Sequence, residues 1–542
     1  MFGRSPSPSN DPTPADAQDC EQNASFPVSS PDLEATSVSN SATPFSLEDG
    51  VVIFEDVLLN FQRCNRRAFL DMYGDRTHRD PPSDYLQKLQ LDSLTHQKSV
   101  LSDWPAVTPA YSSHQWEAGY EATLDLMWQG VERISRGVLL NTHSDGTVLI
   151  SRPKLLVRQP GQSIFGNYLY VAVDIKLGKR AKSDYQIISA YHTYVLANVQ
   201  DAWPETSLLI LRHQNVYEVN LFDQVPKMMT ILDDCIQTLQ HRQEPDVFIA
   251  RNRCDLCHWF NHCYSQARDT RHLSLLPGVT PNRYAQLETL ELTTVERLSA
   301  TSPAVLQDLP GFGTHIAQKL VRQAQSTHYQ IPLLSPHGEE LLLQGASAIH
   351  ELLPMAPVEI YFDIEAAPER ELIYLHGVLT IDRQNNTQTF YGLLADHPDD
   401  EQRIWEQFLE LAEAHPMAPI YHFCPYEHQT VRKLASSFDT PAERVEALVE
   451  RFVDVHDCII RTTTLPIESY ALKAIARWAG FEWRDEGANG AQSIYWYDQW
   501  LETGDRTYLD TILRYNEDDC RATWVVKDWL TRFMHEQLSQ QS

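Results

Sequence analysis

Three strand-like segments that follow one another directly in the second half of the chain constrain its fold most. Each is dense in β-branched and aromatic residues and is bounded by turn signals: VEIYFDIEA at 358–366, YLHGVLTI at 374–381 and TQTFYGLL at 387–394. Further on, IYHF at 420–423 predicts a strand and TILRYNEDDCRATWVVKDWL at 511–530 predicts a closing helix. Three antiparallel strands followed by alternating helices and strands indicate a mixed α/β domain, which we place at residues 346–542.

Length and composition bound the rest of the chain. The 542 residues allow three or four compact units at about 100 to 200 residues each. The sequence contains no run of about 18 apolar residues that could span a bilayer. Its first residues, MFGRSPSPSNDPTP, lack the apolar stretch of a secretory signal. We therefore expect a soluble cytoplasmic protein with no membrane partner, and a reducing cytosol around its nine cysteines favours metal ligation over disulfides.

The net charge of −29 is distributed unevenly along the chain. Residues 1–50 hold 1 basic and 8 acidic residues, and residues 341–542 hold 16 basic and 34 acidic residues. The middle of the chain, residues 51–340, keeps 27 basic and 31 acidic residues, a net charge of −4. Because electrostatic binding of nucleic acid needs a basic surface, we expect any such surface in the middle of the chain.

The organisation ahead of residue 346 follows from composition and periodicity. Residues 1–48 are rich in Ser, Pro, Asp and Asn, which predicts a disordered tail. Residues 49–265 predict an α/β unit, and residues 266–345 predict short helices broken by Pro-Gly turns. Within the α/β unit the patterns predict a helix or helix pair at 54–70, a helix at 86–101, strands at 148–156 and 168–176, and a helix at 185–197.

Cysteines with close spacing end this α/β unit. RCDLCHWFNHC places Cys254, Cys257 and Cys263 in a C-x2-C-x5-C array. Three clustered thiolates repel one another unless a cation neutralises them, so the array predicts an iron-sulfur cluster or a soft metal. Cys64 is the candidate fourth ligand. A zinc site that uses His258 or His262, and a structural trio without metal, remain alternatives at this point.

The unit at 49–265 resembles the RecB-like nucleases of the PD-(D/E)xK superfamily, which have a restriction-endonuclease-type α/β fold. The resemblance rests on the order of Cys64, His96, Asp174 and Lys176 in YVAVDIK, Gln186, Tyr191 and the three late cysteines. In the matching branch, one early and three late cysteines hold a 4Fe-4S cluster. The resemblance implies that Asp174 and His96 ligate a divalent metal and that Lys176 polarises the attacking water. It also implies nucleic-acid contacts for Gln186 and Tyr191.

One residue departs from that pattern. The superfamily places an acidic metal ligand on the strand before D-x-K, and the corresponding segment ISRPKLLVR has Lys154 at that position. A lysine in a site for a cation repels the metal. We therefore expect this unit to bind nucleic acid, and we expect Lys154 to weaken its hydrolytic site.

A glycine turn precedes a helix in the region 266–345. LPGFG at 309–313, followed by THIAQKL, resembles a helix-hairpin-helix motif. In that motif Gly311 and Gly313 would let backbone N–H groups approach a phosphate, helped by the dipole of the following helix. LLPGVT at 275–280 resembles a degenerate partner hairpin. The alternative is a simple linkage between the flanking domains.

Acidic residues in the last 200 residues recur in a specific order. Asp363 and Glu365 are alternate residues of one predicted strand and so share a face. Glu427 stands at a strand-helix junction. Tyr515 and Asp519 are four apart on the predicted closing helix. Carboxylates held this close repel one another, and a divalent cation relieves the repulsion.

This order resembles the DEDD exonucleases of the RNase H-like superfamily, in the subtype that has a tyrosine. The resemblance implies that Asp363, Glu365, Glu427 and Asp519 hold two Mg2+ or Mn2+ ions and that Tyr515 positions the attacking water. Glu427 replaces the usual Asp. The segment 469–483 matches the helix ahead of the last acid, and Asp518 is the alternative ligand if the helix register differs by one.

The complete order resembles fused nucleases found in many bacteria, which have a RecB-like unit, a helix-hairpin-helix region and an RNase H-like exonuclease. We therefore expect a metal-dependent nuclease, with 3'-5' exonuclease activity in the last domain and DNA as a more favoured partner than RNA. The alternatives are an exonuclease that acts on RNA and a non-catalytic scaffold whose nuclease folds are degenerate.

Overall fold

The computed structural model describes residues 51–541. Within these residues the chain divides into two compact units, 51–266 and 267–541. Among the described residues, no helix combines the length and the apolar character that a bilayer crossing requires.

The first unit mixes helices and strands. Its helices are α1 Glu55–Arg63, α2 Asn65–Tyr73, α3 Asp84–Asp103, α4 Trp116–Trp128, α5 Ser183–Gln200, α6 Leu221–His241, α7 Arg251–Cys254 and α8 Phe260–Asp269, with 3-10 turns at Arg76–His78 and Arg212–Gln214. Its strands are β1 Val52–Phe54, β2 Arg133–Ser135, β3 Leu139–Thr142, β4 Val148–Ser151, β5 Leu155–Ser163, β6 Gly166–Ile175, β7 Ser207–Ile210 and β8 Val216–Val219.

The main sheet of the first unit has the order β2-β5-β6-β7-β8. Strand β6 pairs antiparallel with β5 and parallel with β7, so β6 and β7 end at the same edge. Helices α5 and α6 share one apolar core with this sheet, which includes Tyr170, Ala172, Leu196 and Leu232. A smaller sheet has the order β1-β4-β3.

The single strand predicted at 148–156 is two strands in the structure. Strand β4 ends at Ser151 and belongs to the small sheet, whereas β5 starts at Leu155 and belongs to the main sheet. Pro153 lies between them, and a proline lacks the N–H that a continuous ladder would need. The prediction of one strand was therefore wrong at this point.

The pattern at 54–70 forms a helix pair, one of the two forms predicted. Helices α1 and α2 are separated by Cys64, whose backbone is extended at φ −164° and ψ 114°. The extended backbone of Cys64 ends α1 directly before α2 begins.

The second unit begins with short helices and ends with a long one. Its helices are α9 Pro281–Thr289, α10 Val295–Ser299, α11 Pro303–Leu306, α12 Thr314–Tyr329, α13 Pro336–Gln344, α14 Ala346–Leu352, α15 Glu401–Glu413, α16 Tyr426–Ser437, α17 Ala442–Val449, α18 Val455–Thr462, α19 Leu472–Trp478, α20 Gly490–Thr503 and α21 Arg506–Gln541, with 3-10 turns at Leu273–Leu275 and Pro398–Asp400. Its strands are β9 Leu333–Leu334, β10 Val358–Ala367, β11 Leu372–Asp382, β12 Thr387–Leu394, β13 Ile420–His422, β14 Phe452–Asp454 and β15 Thr463–Thr464.

The sheet of the second unit has the order β12-β11-β10-β13-β14. Strands β10, β11 and β12 pair antiparallel, and β10, β13 and β14 pair parallel. The three consecutive antiparallel strands and the closing helix predicted from the sequence are confirmed. Strand β10 therefore lies at the centre of the sheet.

The two faces of β10 pack against different helices. Ile360 and Phe362 point into a core with Trp405 and Phe408 of α15. Tyr361 points to the opposite face, into a core shared with Val526 of α21 and its neighbours. Because strand side chains alternate, Asp363 and Glu365 share the face of Tyr361, which α21 covers.

The helical residues 267–345 are joined to this sheet domain by hydrogen bonds. Strand β9 pairs antiparallel with β15. Gln323 of α12 donates from Nε2 to the carbonyl oxygen of Leu465 at 2.8 Å. These contacts place the short helices in the same compact unit as the C-terminal sheet.

Candidate functional site

Three carboxylates of the second unit converge beneath α21. Asp363 and Glu365 come from β10 and Asp519 comes from α21, and their ligand oxygens all lie within 4.8 Å of one another. Asp363 is half-buried, while Glu365 and Asp519 are only 6% and 8% exposed. Hard divalent cations bind carboxylate oxygens, so the donor set fits one or two Mg2+ or Mn2+ ions.

The neighbouring Asp518 faces a different partner. Arg484 donates to Asp518 from its backbone N and from Nε, both at 2.8 Å. Asp519, one residue further along α21, accepts instead from Nε1 of Trp483 at 2.7 Å. Of the two registers left open by the sequence, the structure brings Asp519 to β10.

Glu427 lies in the first turn of α16, directly after β13. It is 4% exposed, and its Oε2 lies 3.5 Å from Nδ1 of His422. Its charge raises the pKa values of both Asp363 and Glu365. Glu427 is outside the trio of closest oxygens and belongs to the same electrostatic cluster.

Each carboxylate of the trio accepts a hydrogen bond from a neighbouring polar side chain. Asn516 Nδ2 donates to Asp363 at 2.6 Å, Ser493 Oγ donates to Glu365 at 2.5 Å, and Trp483 Nε1 donates to Asp519. Sequence reasoning missed Asn516, Ser493 and Trp483. The only signal for Asn516 was its place beside Tyr515 in RYNEDD, and an isolated Ser or Trp gives none.

Gly377 lets α21 approach the sheet closely enough for this arrangement. It pairs with Asp363 in the β10–β11 ladder. A Cβ atom at Gly377 would lie 1.7 Å from Oδ1 of Asn516, which no real contact permits. A glycine is therefore required opposite Asp363 if Asn516 is to hold that carboxylate.

Burial and mutual repulsion shift the pKa values of these acids upward. Burial, followed by the nearby Asp519 and Glu427 charges, raises the pKa of Glu365 to about 8, against the opposing effects of Ser493 and Lys473. Burial raises the pKa of Asp519 to about 6. The pKa of Asp363 is held well above its usual range by burial and then by the other carboxylates. Without a cation the cluster therefore retains protons near neutral pH.

Lys473 and Tyr515 complete the cluster. The Lys473 ammonium lies 4.9 Å from the centre of the Tyr515 ring and 5.5 Å from the centre of the Trp483 ring. Burial lowers the pKa of Lys473, while the Asp519 charge opposes that change. Burial and the nearby carboxylates raise the pKa of Tyr515. Tyr515 is thus a neutral phenol at physiological pH. Sequence reasoning missed Lys473, whose only signal was its place in SYALKAI.

The raised carboxyl pKa values predict that pH controls both stability and metal binding. A carboxyl whose folded pKa lies above its unfolded value contributes stability below the unfolded pKa, and loses it as pH rises through the folded pKa. For Glu365 that interval runs from 4.5 to about 8. We expect the unfolding temperature of the metal-free protein to fall between about pH 6.5 and about pH 9, and Mg2+ or Mn2+ to restore it.

Calorimetry with chelator and with metal measures this effect. Glu365→Gln is the matched control, because it removes one titrating group and should flatten the profile. The buried His376 has a pKa lowered by burial to about 3, so its contribution is lost only as pH falls below 6.5. Measurement above that value separates the two effects. A metal-free profile that rises with pH would contradict the prediction.

Asp174 of the first unit lies close to a lysine and a histidine. Lys176 Nζ lies 3.1 Å from Asp174 Oδ2, and His192 Nε2 lies 3.7 Å from the same oxygen. Although burial acts to raise the pKa of Asp174, Lys176, His192 and Lys154 hold it well below its usual range. Lys154 precedes Leu155, which pairs with Val173 across β5 and β6. The structure therefore brings Lys154 beside Asp174, and no second carboxylate of the described residues joins Asp174 in a metal-ligating group.

The other predicted residues of the first unit have local partners. His96 is half-buried near the backbone of Lys176 and Leu211. Gln186 donates from Nε2 to the carbonyl oxygen of Ala181 at 2.8 Å. Tyr191 is fully buried, and its hydroxyl lies within hydrogen-bonding distance of two backbone carbonyls. The structure thus places Tyr191 in the core, away from any surface that nucleic acid could reach.

All four predicted cysteine ligands line one cavity. Cys64, Cys254, Cys257 and Cys263 share it with four arginines, Arg63, Arg66, Arg67 and Arg253, and with Phe248, Trp259 and Phe260. Burial raises the pKa of Cys254 to about 12 and that of Cys257 to about 11. A cation is therefore needed for these thiols to exist as thiolates.

The alternative zinc ligand His258 is occupied elsewhere. His258 Nε2 lies 2.6 Å from Asp71 Oδ1, and Trp259 Nε1 donates to the same oxygen at 2.9 Å. His262 stacks on His78 with ring centres 5.0 Å apart. These contacts direct both histidines to partners other than a shared metal.

The two glycine turns of residues 267–345 lie beside each other. Gly311 and Gly313 have φ values of +81° and +99°, and Gly278 has +88°. Arg283 donates to the carbonyl oxygens of Gly278 at 2.8 Å and Gly311 at 3.0 Å. Gly313 directly precedes α12. Arg283 therefore ties the two predicted hairpins into one structure.

The second unit matches a family model. The RNase_H_2 model, of the RNase H superfamily, matches residues 360–531. The match runs from β10 to α21 and encloses the whole acidic cluster. It confirms the RNase H-like domain expected from the sequence and indicates a nuclease-type function in the processing of nucleic acid. No curated protein matches the chain.

Proposed function

We propose that the second unit is a two-metal 3'-5' exonuclease. The observation that carries this proposal is the convergence of Asp363, Glu365 and Asp519 within 4.8 Å beneath α21. A purely structural ion-pair network would balance three buried carboxylates with an equal number of cations. Lys473 is a cation whose charge acts on both Glu365 and Asp519 in this cluster.

Different residues of this site have different roles in the proposed hydrolysis of a phosphodiester. Asp363, Glu365 and Asp519 would hold two Mg2+ or Mn2+ ions, which when bound would supply Lewis-acid activation of water and stabilisation of the leaving oxygen. Glu427 reaches the same site on its longer arm. Tyr515 keeps its proton, so it orients the attacking water by hydrogen bonding and does not act as a base. Asn516, Ser493 and Trp483 fix the carboxylates, which avoids their reorganisation during the reaction.

A polarity assay tests the proposed activity. Purified protein with Mg2+ or Mn2+ should shorten a 5'-labelled single strand into a ladder, and should release a single labelled nucleotide from a 3'-labelled strand. DNA and RNA strands, single and double, identify the substrate, and we expect DNA to be degraded faster. A closed circular strand is the control and should stay intact. Cleavage of the circle would show endonuclease activity and contradict the proposal.

The cavity lined by four cysteines is proposed to hold a 4Fe-4S cluster. Four cysteine ligands complete such a cluster, and the surrounding arginines compensate its negative charge. A tetrahedral zinc with bonds of about 2.3 Å would hold its sulfurs about 3.8 Å apart. Among the described residues, the ligand oxygens of the acidic trio all lie within 4.8 Å of one another, and the cysteine sulfurs form no group of three or more as close as this. The spacing supports the larger cofactor.

The first unit and the hairpins are proposed to bind the nucleic acid that the RNase H-like domain cuts. Lys154 beside Asp174 supports a RecB-like unit without its own metal-dependent hydrolysis, because a cation there is repelled. Positive φ values at Gly311 and Gly313 support a turn that presents backbone N–H groups to phosphate. The proposed protein is thus a cytoplasmic nuclease with one hydrolytic site and additional binding surfaces.

A further inference from the structure

The hydroxyl of Tyr374 in β11 is connected to the acidic cluster through one intervening side chain. Tyr374 Oη lies 3.0 Å from Ser493 Oγ, and Ser493 Oγ donates to Glu365 Oε2 at 2.5 Å. Tyr374 and Ser493 are fully buried, and Glu365 is 6% exposed. The three side chains therefore form a buried hydrogen-bonded chain that ends on a carboxylate of the trio.

The direction of these hydrogen bonds follows from the single proton of a serine hydroxyl. Besides Tyr374, Ser493 Oγ lies within hydrogen-bonding distance of two acceptors, Glu365 Oε2 at 2.5 Å and the carbonyl oxygen of Gly490 at 3.1 Å. The shorter bond, to the carboxylate, is the stronger one. Because it uses the serine proton, Tyr374 is the donor to Ser493. A hydroxyl that accepts a hydrogen bond is polarised and becomes a better donor, so Tyr374 strengthens the bond from Ser493 to Glu365.

An extra residue in β11 places Tyr374 at this point. Glu365 pairs with Leu375, and the next residue of β10 pairs two residues earlier in β11, so the ladder skips Tyr374. Successive side chains of a regular strand point to opposite faces, whereas Tyr374 and Leu375 both pack in one core with Tyr497 of α20. A bulge of this kind re-aims a side chain. The irregular residue of the ladder is thus the one that reaches Ser493.

The ring of Tyr374 is held separately from its hydroxyl. It stacks on the ring of Tyr497, with centres 3.9 Å apart and planes at 7°. Within the part of the chain that the structure describes, the buried Tyr497 hydroxyl has no hydrogen-bond partner. The two stacked tyrosines therefore differ in chemistry, because the Tyr374 hydroxyl is bonded toward the acidic cluster and the Tyr497 hydroxyl is not.

We propose that Tyr374 is a positioning residue for metal binding, which acts through Ser493 to hold Glu365 in the orientation that ligates a divalent ion. This proposal rests on the proposed function, because it takes Glu365 as a ligand of Mg2+ or Mn2+. A carboxylate that is free to rotate must be ordered when the ion binds, and this ordering lowers the affinity. Hydrogen-bonding partners of metal ligands typically contribute about 10-fold to 100-fold in metal affinity.

Metal affinity, measured on the full-length protein without nucleic acid, tests this role. Mn2+ is titrated into metal-free protein in a calorimeter, and the binding that Asp363→Asn removes is assigned to the trio. Tyr374→Phe keeps the stacked ring and removes the hydroxyl, and it should weaken that binding by about threefold to tenfold. Tyr497→Phe is the matched control. It makes the same change on the stacked ring, at a hydroxyl without a partner, and should leave the affinity unchanged.

A double-mutant cycle separates positioning from a general loss of packing. Ser493→Ala removes the bond to Glu365, so adding Tyr374→Phe to it should cause no further loss of affinity. Equal losses in the two backgrounds would assign Tyr374 to packing and overturn the proposal. Wild-type affinity in Tyr374→Phe would also overturn it, as would a Tyr374→Phe protein that is unfolded in chelator.

Hydrolysis gives a second measurement. In Tyr374→Phe the Mn2+ concentration for half-maximal cleavage should rise by the same factor as the dissociation constant, and the rate at saturating Mn2+ should stay close to wild type. A lowered plateau with unchanged metal dependence would contradict the role in metal binding.

Failure of the proposal and failure of the proposed function give different results. Mn2+ binding that is unchanged in Asp363→Asn would overturn both, because the trio would then not be the metal site. Loss of binding in Asp363→Asn together with wild-type affinity in Tyr374→Phe would overturn the role of Tyr374 alone.

Discussion

Asp363→Asn and Asp519→Asn are expected to reduce metal-dependent hydrolysis by about a thousandfold or more. Each substitution removes one carboxylate from a trio whose oxygens lie within 4.8 Å, and so removes charge that the two proposed divalent ions would share. A thousandfold loss corresponds to about 4 kcal/mol of transition-state stabilisation. Single-turnover assays on an end-labelled strand measure it. Tyr515→Phe should lower the rate less, because the ions remain.

Asp518→Asn is the matched control for both variants. It makes the same chemical change one residue away, on a side chain that Arg484 holds and that lies outside the trio. We expect it to retain cleavage. Thermal unfolding in chelator separates loss of function from loss of fold, since removing one of several repelling carboxylates should leave the metal-free protein equally stable or more stable. Wild-type rates in Asp363→Asn would place hydrolysis elsewhere in the chain.

The acids of this site could be predicted from the sequence because each pair of site residues is spaced by the geometry of a single strand or helix. Asp363 and Glu365 alternate on a strand, and Tyr515 and Asp519 lie one helical turn apart. Ser493 and Trp483 carry no such signal. They reach Glu365 and Asp519 from 128 and 36 residues away, and only the folded chain brings them there.

In the first unit, too, local patterns predicted individual strands and helices, whereas tertiary packing could not be predicted. The strand pattern predicted β6 and the helix after it, but did not show the break at Pro153 that separates β4 from β5. Tyr191 matched a motif position, and packing placed it in the core beneath the carbonyls of Ile53 and Ile150. A motif defines residue order, whereas burial depends on neighbours that the order does not specify.

Anaerobically purified protein is expected to be brown, with a broad absorption near about 400 nm and about four irons and four sulfides per chain. The raised pKa values of the buried thiols explain why a cofactor is needed. Burial raises the pKa of Cys254 to about 12 and that of Cys257 to about 11, so these two thiols can be charged together only when a cofactor replaces their protons. Cluster binding should therefore release protons. Loss of the cluster should unfold the first unit, which proteolysis and circular dichroism would detect.

Cys254→Ser and Cys235→Ser form a matched pair for this prediction. Both change a cysteine of the first unit, but Cys235 is fully buried in α6 and does not line the arginine-rich cavity. Cys254→Ser should lose the absorption and most of the iron, and Cys235→Ser should keep both at some cost in stability. Colourless protein with one zinc per chain would refute the cluster. In that case His258 and His262, the alternative zinc ligands in the sequence, would be the ligands to test next.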